Sequence, residues 1–327
     1  MKTSLITFES IFRDGLLDLI YAQWRLLGAP FSSIKLDLPE VIDPESLLWC
    51  SLEFAPTEPR LLETILAWLR VNNNYLIRQR LNKRAASGDP RGRIWQMLDQ
   101  SKWSVPEPSP ELLHGLESAQ EMTEFFQRMV RHVSRVESSE SRIGMKQPFG
   151  ASTVLLRARD LLGNDIRHFV LVYLLANERG GKLQAVQKWS GYTYRSISEV
   201  AARWHAAGVA IVEHGYAYLT EAQAWRSLLH LAEERITIVN WFVVFEACVT
   251  LLRALAKARR MDFADDNPVV TSYRNDAYRA LSAPFIDGAP GDAPSTARLR
   301  NLFPQEEQHH VKFPSDPGSS RKKNPSI

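Results

Sequence analysis

Apolar residues recur at intervals of three and four along most of the chain, the spacing that places them on one face of an α-helix. The first such stripe ends by Gly28 and Pro30 and consists of Phe8, Ile11, Phe12, Leu16, Leu19, Ile20 and Trp24. Two helix starts follow, at Asp43-Pro44-Glu45 and at Glu58-Pro59, because proline is favoured in the first helical turn. The asparagine run at 72–74 is expected to break the second of these helices. The pattern predicts a mainly α-helical fold.

A polar stretch with glycine and proline at residues 138–150 indicates a domain boundary. We therefore expect an N-terminal α-helical domain at 1–145, a central domain at 151–222, a C-terminal helical region at 223–283 and a tail at 284–327. The tail is rich in Gly, Pro, Ser and Asp and is predicted to be largely disordered, although Leu299, Leu302 and Phe303 are suited to local docking.

Composition and charge exclude several classes of protein. Hydrophobic residues make up 45% of the 327 residues and charged residues 24%, as in an ordinary globular protein. A collagen-like, disordered or disulfide-stabilised chain is therefore excluded. The formal net charge is only +3, so an anionic partner would have to be attracted by local basic patches.

Cysteine usage and the apolar segments predict a cytoplasmic protein that does not span a membrane. Cys50 and Cys248 both lie among apolar neighbours, as buried thiols do in proteins of reducing compartments. The first residues have no long apolar region or cleavage site, so no export signal is expected. The most apolar stretch, 236–252, contains Asn240 and Glu246. A carboxylate is costly inside a bilayer, which favours a buried core helix, continuing to Arg260.

The segment from Lys182 to Gly208 predicts two short helices joined by a tight turn. Gly191 suits a left-handed cap at the end of the first helix, and Thr193 is placed to cap the start of the second. In the second helix one face carries the apolar residues Ile197, Val200, Ala201 and Trp204, which we expect to be buried. Alternating residues around His214-Gly215 then predict two short strands joined by a glycine turn.

These residues resemble bacterial winged helix-turn-helix transcription regulators, in which a turn like Gly191-Tyr192-Thr193 precedes the recognition helix and a phrase like Ala206-Ala207-Gly208-Val209 leads into the wing. The resemblance covers about residues 155–220. It implies a first helix at 155–176, a second at 182–190, a recognition helix at 193–207 and a wing at 209–220. The wing contains one histidine and no Lys or Arg, which departs from the basic wing common in DNA-binding members.

A recognition helix of this kind fits the major groove of double-stranded DNA, where residues near its start reach the base edges. The residues placed to do so are Tyr194, Arg195, Ser196 and Ser198. Lys182, Lys188 and Arg203 are expected to neutralise phosphates, with the hydroxyls of Thr193 or Tyr194 adding backbone contacts. The alternative is a winged helix that packs or docks a protein and exposes a merely solvated polar face.

A second basic patch consists of Arg78, Arg80, Lys83, Arg84, Arg91 and Arg93. In the sequence it is opposed only by Asp89, with Tyr75 and Trp95 nearby. Such a patch can bind a phosphate backbone, or it can simply be the solvated face of a helix end.

Sequence motifs of catalysis are not recognisable in the chain. It has no glycine-rich dinucleotide loop, no Gly-x-Ser-x-Gly and no His-Glu-x-x-His, and two distant cysteines cannot build a zinc site by themselves. We therefore expect no enzyme activity, cofactor or metal. The prediction is a DNA-binding transcriptional regulator that forms a homodimer, with the helix 236–260 as candidate interface. The alternatives are a protein-interaction subunit of a larger assembly and a ligand-sensing regulator with a pocket in the N-terminal helical domain.

Overall fold

The computed structural model describes residues 5–31, 38–100, 150–231, 234–261, 267–282 and 293–303. The fold is mainly helical, with one small three-stranded sheet, as the apolar periodicity predicts. The helices in the first part are α1 (Leu5–Leu26), α2 (Pro44–Phe54), α3 (Pro59–Asn72), α4 (Arg78–Ala85) and α5 (Pro90–Gln100). The central part contains α6 (Val154–Leu162), α7 (Ile166–Ala176), β1 (Gly181–Lys182), α8 (Leu183–Ser190), α9 (Tyr194–Ala206), β2 (Ala210–Glu213), β3 (Tyr216–Leu219) and α10 (Ala222–Leu228). The last helices are α11 (Trp241–Arg260), α12 (Pro268–Ser282) and α13 (Pro294–Arg300).

The predicted helix starts near the N-terminus are confirmed. Asp43 caps α2, since its carboxylate accepts hydrogen bonds from the backbone N–H groups of Glu45 and Ser46, each at 3.2 Å. Pro59 is the first residue of α3. The asparagine run ends that helix, which gives way at Asn73 to a short 3-10 turn.

A first hydrophobic core is built from helices at both ends of the chain. It joins α1–α5 to α11–α13, and its largest buried side chains include Trp24, Trp49, Trp68, Trp95 and Trp241. Residues 293–303, within the region predicted as a largely disordered tail, form α13 and pack here. Phe303 meets the rings of Phe8 and Phe12 edge-on at 5.4 and 5.3 Å between centroids. The remainder of that tail lies outside the described residues.

The predicted long helix begins later than expected. Residues 236–239 are not helical, and Val41 donates a backbone hydrogen bond to the carbonyl of Thr237 at 2.8 Å. Asn240 caps α11 at Val243, because an asparagine side chain favours a cap over a helix interior. Along α11 most apolar residues are buried against α1, α2 and α12 of the same chain, which confirms a buried core helix. In the part of the chain that the structure describes, no helix is long and apolar enough to cross a membrane.

A second hydrophobic core surrounds α7. The single helix predicted at 155–176 is wrong, because Gly163 adopts a left-handed backbone angle (φ +82°) and ends α6. Asp165 then caps α7 by accepting from the backbone N–H of Arg167 at 2.8 Å. These local stop and start signals outweigh the continuous apolar spacing.

The turn and hairpin of the central domain are confirmed. Gly191 is left-handed (φ 76°, ψ 4°) at the end of α8, and the Thr193 hydroxyl accepts from the N–H of Ser196 at 3.2 Å to cap α9. The strands β2 and β3 are antiparallel and joined at His214 and Gly215, both with positive φ. A two-residue turn with positive φ at both positions matches the right-handed twist of the paired strands. The third strand, β1, pairs with β3, and the sheet order is β1-β3-β2.

Buried charges link the two cores. Arg80 of α4 bonds to the carboxylate of Asp43 at 2.7 Å and also reaches Glu45, while Arg159 of α6 pairs with Glu45 at 2.8 Å. Burial alone would raise the pKa of Asp43, but the Arg80 guanidinium outweighs it and lowers the pKa to about 2. Burial and the charge of Arg159 lower the pKa of His168 to about 2, so its ring is neutral and accepts from Arg159 Nε at 3.2 Å.

Candidate nucleic-acid interface

The helix α9 is anchored along one side and open along the other. Ile197 and Ala201 are buried in the second core, with Val200 and Trp204 packed against it. The predicted burial of Trp204 is correct only in part, because its ring is half-buried. It lies in the last turn of α9, where the neighbouring side chains at 202, 203 and 205–207 are exposed as the helix leaves the core.

The first turn of α9 presents the residues expected to read DNA. Thr193, Tyr194 and Arg195 are exposed, while Ser196 and Ser198 are partly buried. The side chain of Arg195 is 89% exposed, and its Nε lies 3.0 Å from an oxygen of Glu199 one turn later. An exposed ion pair of this kind contributes little to stability, so the guanidinium is free to change partners. The hydroxyl of Thr193 is also 2.9 Å from that of Ser196, which ties both side chains to capping the helix.

A depression of about 410 Å³ lies beside the start of α9. Lys182 and Tyr194 line it, together with Gly215 and four side chains that the sequence did not predict as site residues, Gln184, Gln187, His214 and Tyr216. The ammonium of Lys182 lies 5.7 Å from the centre of the Tyr216 ring, because β1 pairs with β3 at these two positions. Pairing through a strand of two residues leaves no periodic signal in the sequence.

Two predicted phosphate-binding residues lie elsewhere. Arg203 is exposed in the last turn of α9. Lys188, in the last turn of α8, lines a different cleft, together with Lys83 and Arg84 of α4. The structure therefore brings Lys182 and Tyr194 together and places Lys188 with part of the second basic patch.

The second basic patch is not a continuous solvent-facing surface. Arg80 and Arg91 are buried, with only 8% and 2% of their side chains exposed. Arg80 pairs with Asp43 and Glu45. Arg91 pairs with Asp89 at 2.9 Å and with Glu246 at 2.9 Å. The interpretation that Asp89 alone opposes this patch is wrong, because folding brings in carboxylates from positions far away in the sequence.

The other four members of the patch differ in their surroundings. Arg78 faces Asp99 at 3.4 Å, and Arg93 is exposed on α5. Lys83 is exposed, and Arg84 is partly exposed with its nearest carboxylate, Glu246, at 3.9 Å. Only the latter two face the cleft that Lys188 also lines.

Neither cysteine has the chemistry of a nucleophile. Cys50 and Cys248 are both fully buried and free. Burial raises the pKa of Cys50 well above its ordinary value and that of Cys248 to about 12, so both remain protonated thiols. Among the described residues, no group of three or more His, Cys, Asp or Glu side chains is placed to hold a metal ion.

Comparison with known proteins adds no family and no activity. No protein-family model, no curated protein and no solved structure matches the chain. Function is therefore inferred from the chemistry and placement of α9 and its neighbours.

Proposed function

We propose that the protein binds double-stranded DNA through α9 and acts as a cytoplasmic transcriptional regulator without catalytic activity. The observation that carries the proposal is the exposure of Arg195 at the start of a helix whose other side is fixed in a core. A helix held in this way can enter the major groove as a rigid element, with its first turn directed at base edges.

Arg195 has the chemistry and the freedom for this role. A guanidinium donates two parallel hydrogen bonds to the O6 and N7 of guanine. Its exchange from Glu199 to a base costs little, since both members of the pair are solvent-exposed. Glu199 also keeps the guanidinium close to the helix surface in the absence of DNA.

The phosphate contacts come from side chains that flank this turn. Lys182 is exposed next to Tyr194, and Arg203 is exposed in the last turn of the same helix. Charges at both ends of α9 are suited to the two phosphate backbones that border a groove. The wing, without Lys or Arg, contributes His214 and Tyr216 to the depression.

A homodimer is part of the proposal. Winged-helix proteins gain affinity by placing two recognition helices in half-sites separated by one turn of DNA, about 34 to 36 Å. The apolar face of α11 does not serve this purpose, because helices of the same chain cover it.

One observation favours a second function, the docking of a protein. Tyr194 and Tyr216 are 43% and 46% exposed beside the same depression, and exposed aromatic residues are enriched at protein interfaces. A protein partner would cover these rings and would not require Arg195 to leave Glu199.

The two functions are separated by selecting fragments of the source genome that bind the purified protein and measuring affinity for the best duplex at several salt concentrations. DNA binding predicts a sequence preference and a logarithmic salt slope of about −0.9 for each neutralised phosphate. A flat salt dependence without sequence preference, together with a fixed protein partner that co-purifies, would replace the DNA proposal by docking.

A further inference from the structure

A cleft of about 340 Å³ lies between the two cores, where α4 faces the end of α8 and the Gly191 turn. Five basic and three aromatic side chains line it: Arg80, Lys83, Arg84, Arg91, Lys188, Trp49, Trp189 and Phe242. Its volume is within the range of small-molecule sites. Neither Arg195 nor Arg203 is among its lining residues.

The charge of the cleft is positive after its internal pairs are accounted for. Its two carboxylates are already engaged: Asp89 accepts from Arg91 and Arg253, and Glu246 accepts from Arg91 and Trp49. Arg84 reaches Glu246 only at 3.9 Å, which is beyond hydrogen-bond distance. Within the described residues Lys83 and Lys188 therefore have no ion pair, and Arg84 has only this long contact with Glu246.

Two buried donors of the cleft lack acceptors. Nε1 of Trp189 and Nη1 of Arg91 have no hydrogen-bond partner in the part of the chain that the structure covers, and both side chains are only 2% exposed. A buried donor without an acceptor carries an unrecovered desolvation cost. Neither atom is exposed to solvent, so a ligand in the cleft would contact the three cations Lys83, Arg84 and Lys188 and not these two donors.

Arg84 is held in position for such a ligand. Its guanidinium carbon lies 3.7 Å from the centre of the Phe242 ring, so the cation packs on the aromatic face. Partial burial lowers the pKa of Arg84 and outweighs the opposing charge of Glu246. An anion placed against this guanidinium would raise the pKa of Arg84 again, because an opposite charge favours the protonated form.

We propose that this cleft binds a small phosphate-bearing anion, held by Lys83, Arg84 and Lys188. Three positive charges exceed the single negative charge of a carboxylate ligand. A phosphate offers several oxygen acceptors and more than one negative charge. The site is separate from the first turn of α9 and does not depend on DNA binding.

The test measures binding of pyrophosphate and of inorganic phosphate to the purified full-length protein by titration calorimetry, at ionic strength matched with chloride. We expect saturable binding of one anion per chain. Lys83→Gln and Arg84→Gln should each raise the Kd about tenfold or more, as expected for loss of a charge-assisted hydrogen bond. Arg84→Lys should weaken binding less than Arg84→Gln, and Lys257→Gln, on α11 outside the cleft, should leave the Kd unchanged.

Absence of saturable binding, or equal affinity in the Lys83→Gln variant, would overturn the proposal. Lys83 is exposed, so its substitution tests the site even if Arg84→Gln impairs folding. Retained pyrophosphate binding in Arg195→Ala would support a site separate from the DNA surface. If a short duplex displaces pyrophosphate and Arg84→Gln weakens DNA binding, the cleft takes a backbone phosphate and the small-molecule site is rejected.

Discussion

Arg159 and Glu45, 114 positions apart in the sequence, form a bidentate ion pair inside the protein. Nη1 of Arg159 donates to one oxygen of Glu45 at 2.8 Å, and Nη2 donates to the other at 2.9 Å. Arg159 lies on α6 beside the second core and Glu45 lies on α2 in the first part of the chain. The pair therefore ties the domain that carries α9 to the N-terminal helices.

Removing one member of this pair should be strongly destabilising. Glu45→Gln is expected to lower the free energy of unfolding by about 3 to 5 kcal/mol, because it leaves Arg159 and Arg80 as buried charges with incomplete compensation. Urea unfolding followed by circular dichroism measures the change. The matched control is Arg167→Gln, which breaks an exposed ion pair with Asp165 and should cost no more than about 1 kcal/mol. Equal losses in the two variants would contradict a structural role for the buried pair.

His168 makes the stability depend on pH below neutrality. Its pKa is lowered to about 2 in the folded protein, so the unfolded chain takes up a proton below about pH 6.5 and the folded chain does not. The contribution of the neutral, buried His168 to the free energy of unfolding is therefore complete above pH 6.5. It is lost as the pH falls toward 2, at up to about 1.4 kcal/mol for each pH unit.

The His168→Gln variant should show a flatter profile between pH 6.5 and 5, a window above the titration of ordinary carboxylates. Unfolding free energies at half-unit intervals of pH provide the measurement. Parallel profiles for the parent and the variant would show that the proton uptake occurs elsewhere.

The base-reading role of Arg195 predicts a loss of sequence preference. Arg195→Ala should weaken binding to the best duplex by about 1 to 3 kcal/mol and relax the preference at one base position. Glu199→Gln is the control, because it frees the guanidinium without removing it and should leave the preference intact. A folded Arg195→Ala protein with unchanged preference would remove this residue from base contact.

Lys182 is expected to act on all DNA sequences alike. Its ammonium is exposed beside Tyr216, where it can reach a phosphate but has no base edge assigned to it. Lys182→Ala should therefore reduce affinity about equally for every sequence and lower the salt slope by roughly one. Lys257→Ala removes the same charge from α11 and should leave the slope unchanged. An unaltered slope for Lys182→Ala would place the residue outside the interface.

Local signals in the sequence predicted much of the central domain. Gly191 and Thr193 mark the turn and the helix start by their own backbone and side-chain preferences, and no distant contact is needed for either. The basic patch was misjudged for the opposite reason. The partners of Arg80 and Arg91, such as Asp43 and Glu246, come from other helices, and a count of neighbouring charges along the chain cannot detect them.

The oligomeric state gives the last prediction. The sequence predicts a dimer interface on the helix 236–260. Phe242 of this helix is unsuitable as a test position, because it is buried under Arg84 and its replacement by a charge would damage the core. The helix α1 instead exposes an apolar side chain at Ile11, of which 46% is accessible.

We expect light scattering coupled to size-exclusion chromatography to give twice the 37.2 kDa mass of one chain for the parent protein. Ile11→Glu should shift the equilibrium toward the monomer, because an isologous interface contains the new charge twice. Val71→Glu, at a similarly exposed position on α3, serves as the control. A monomeric parent would reject the dimer. A dimer that Ile11→Glu leaves intact would place the interface on a surface other than this part of α1.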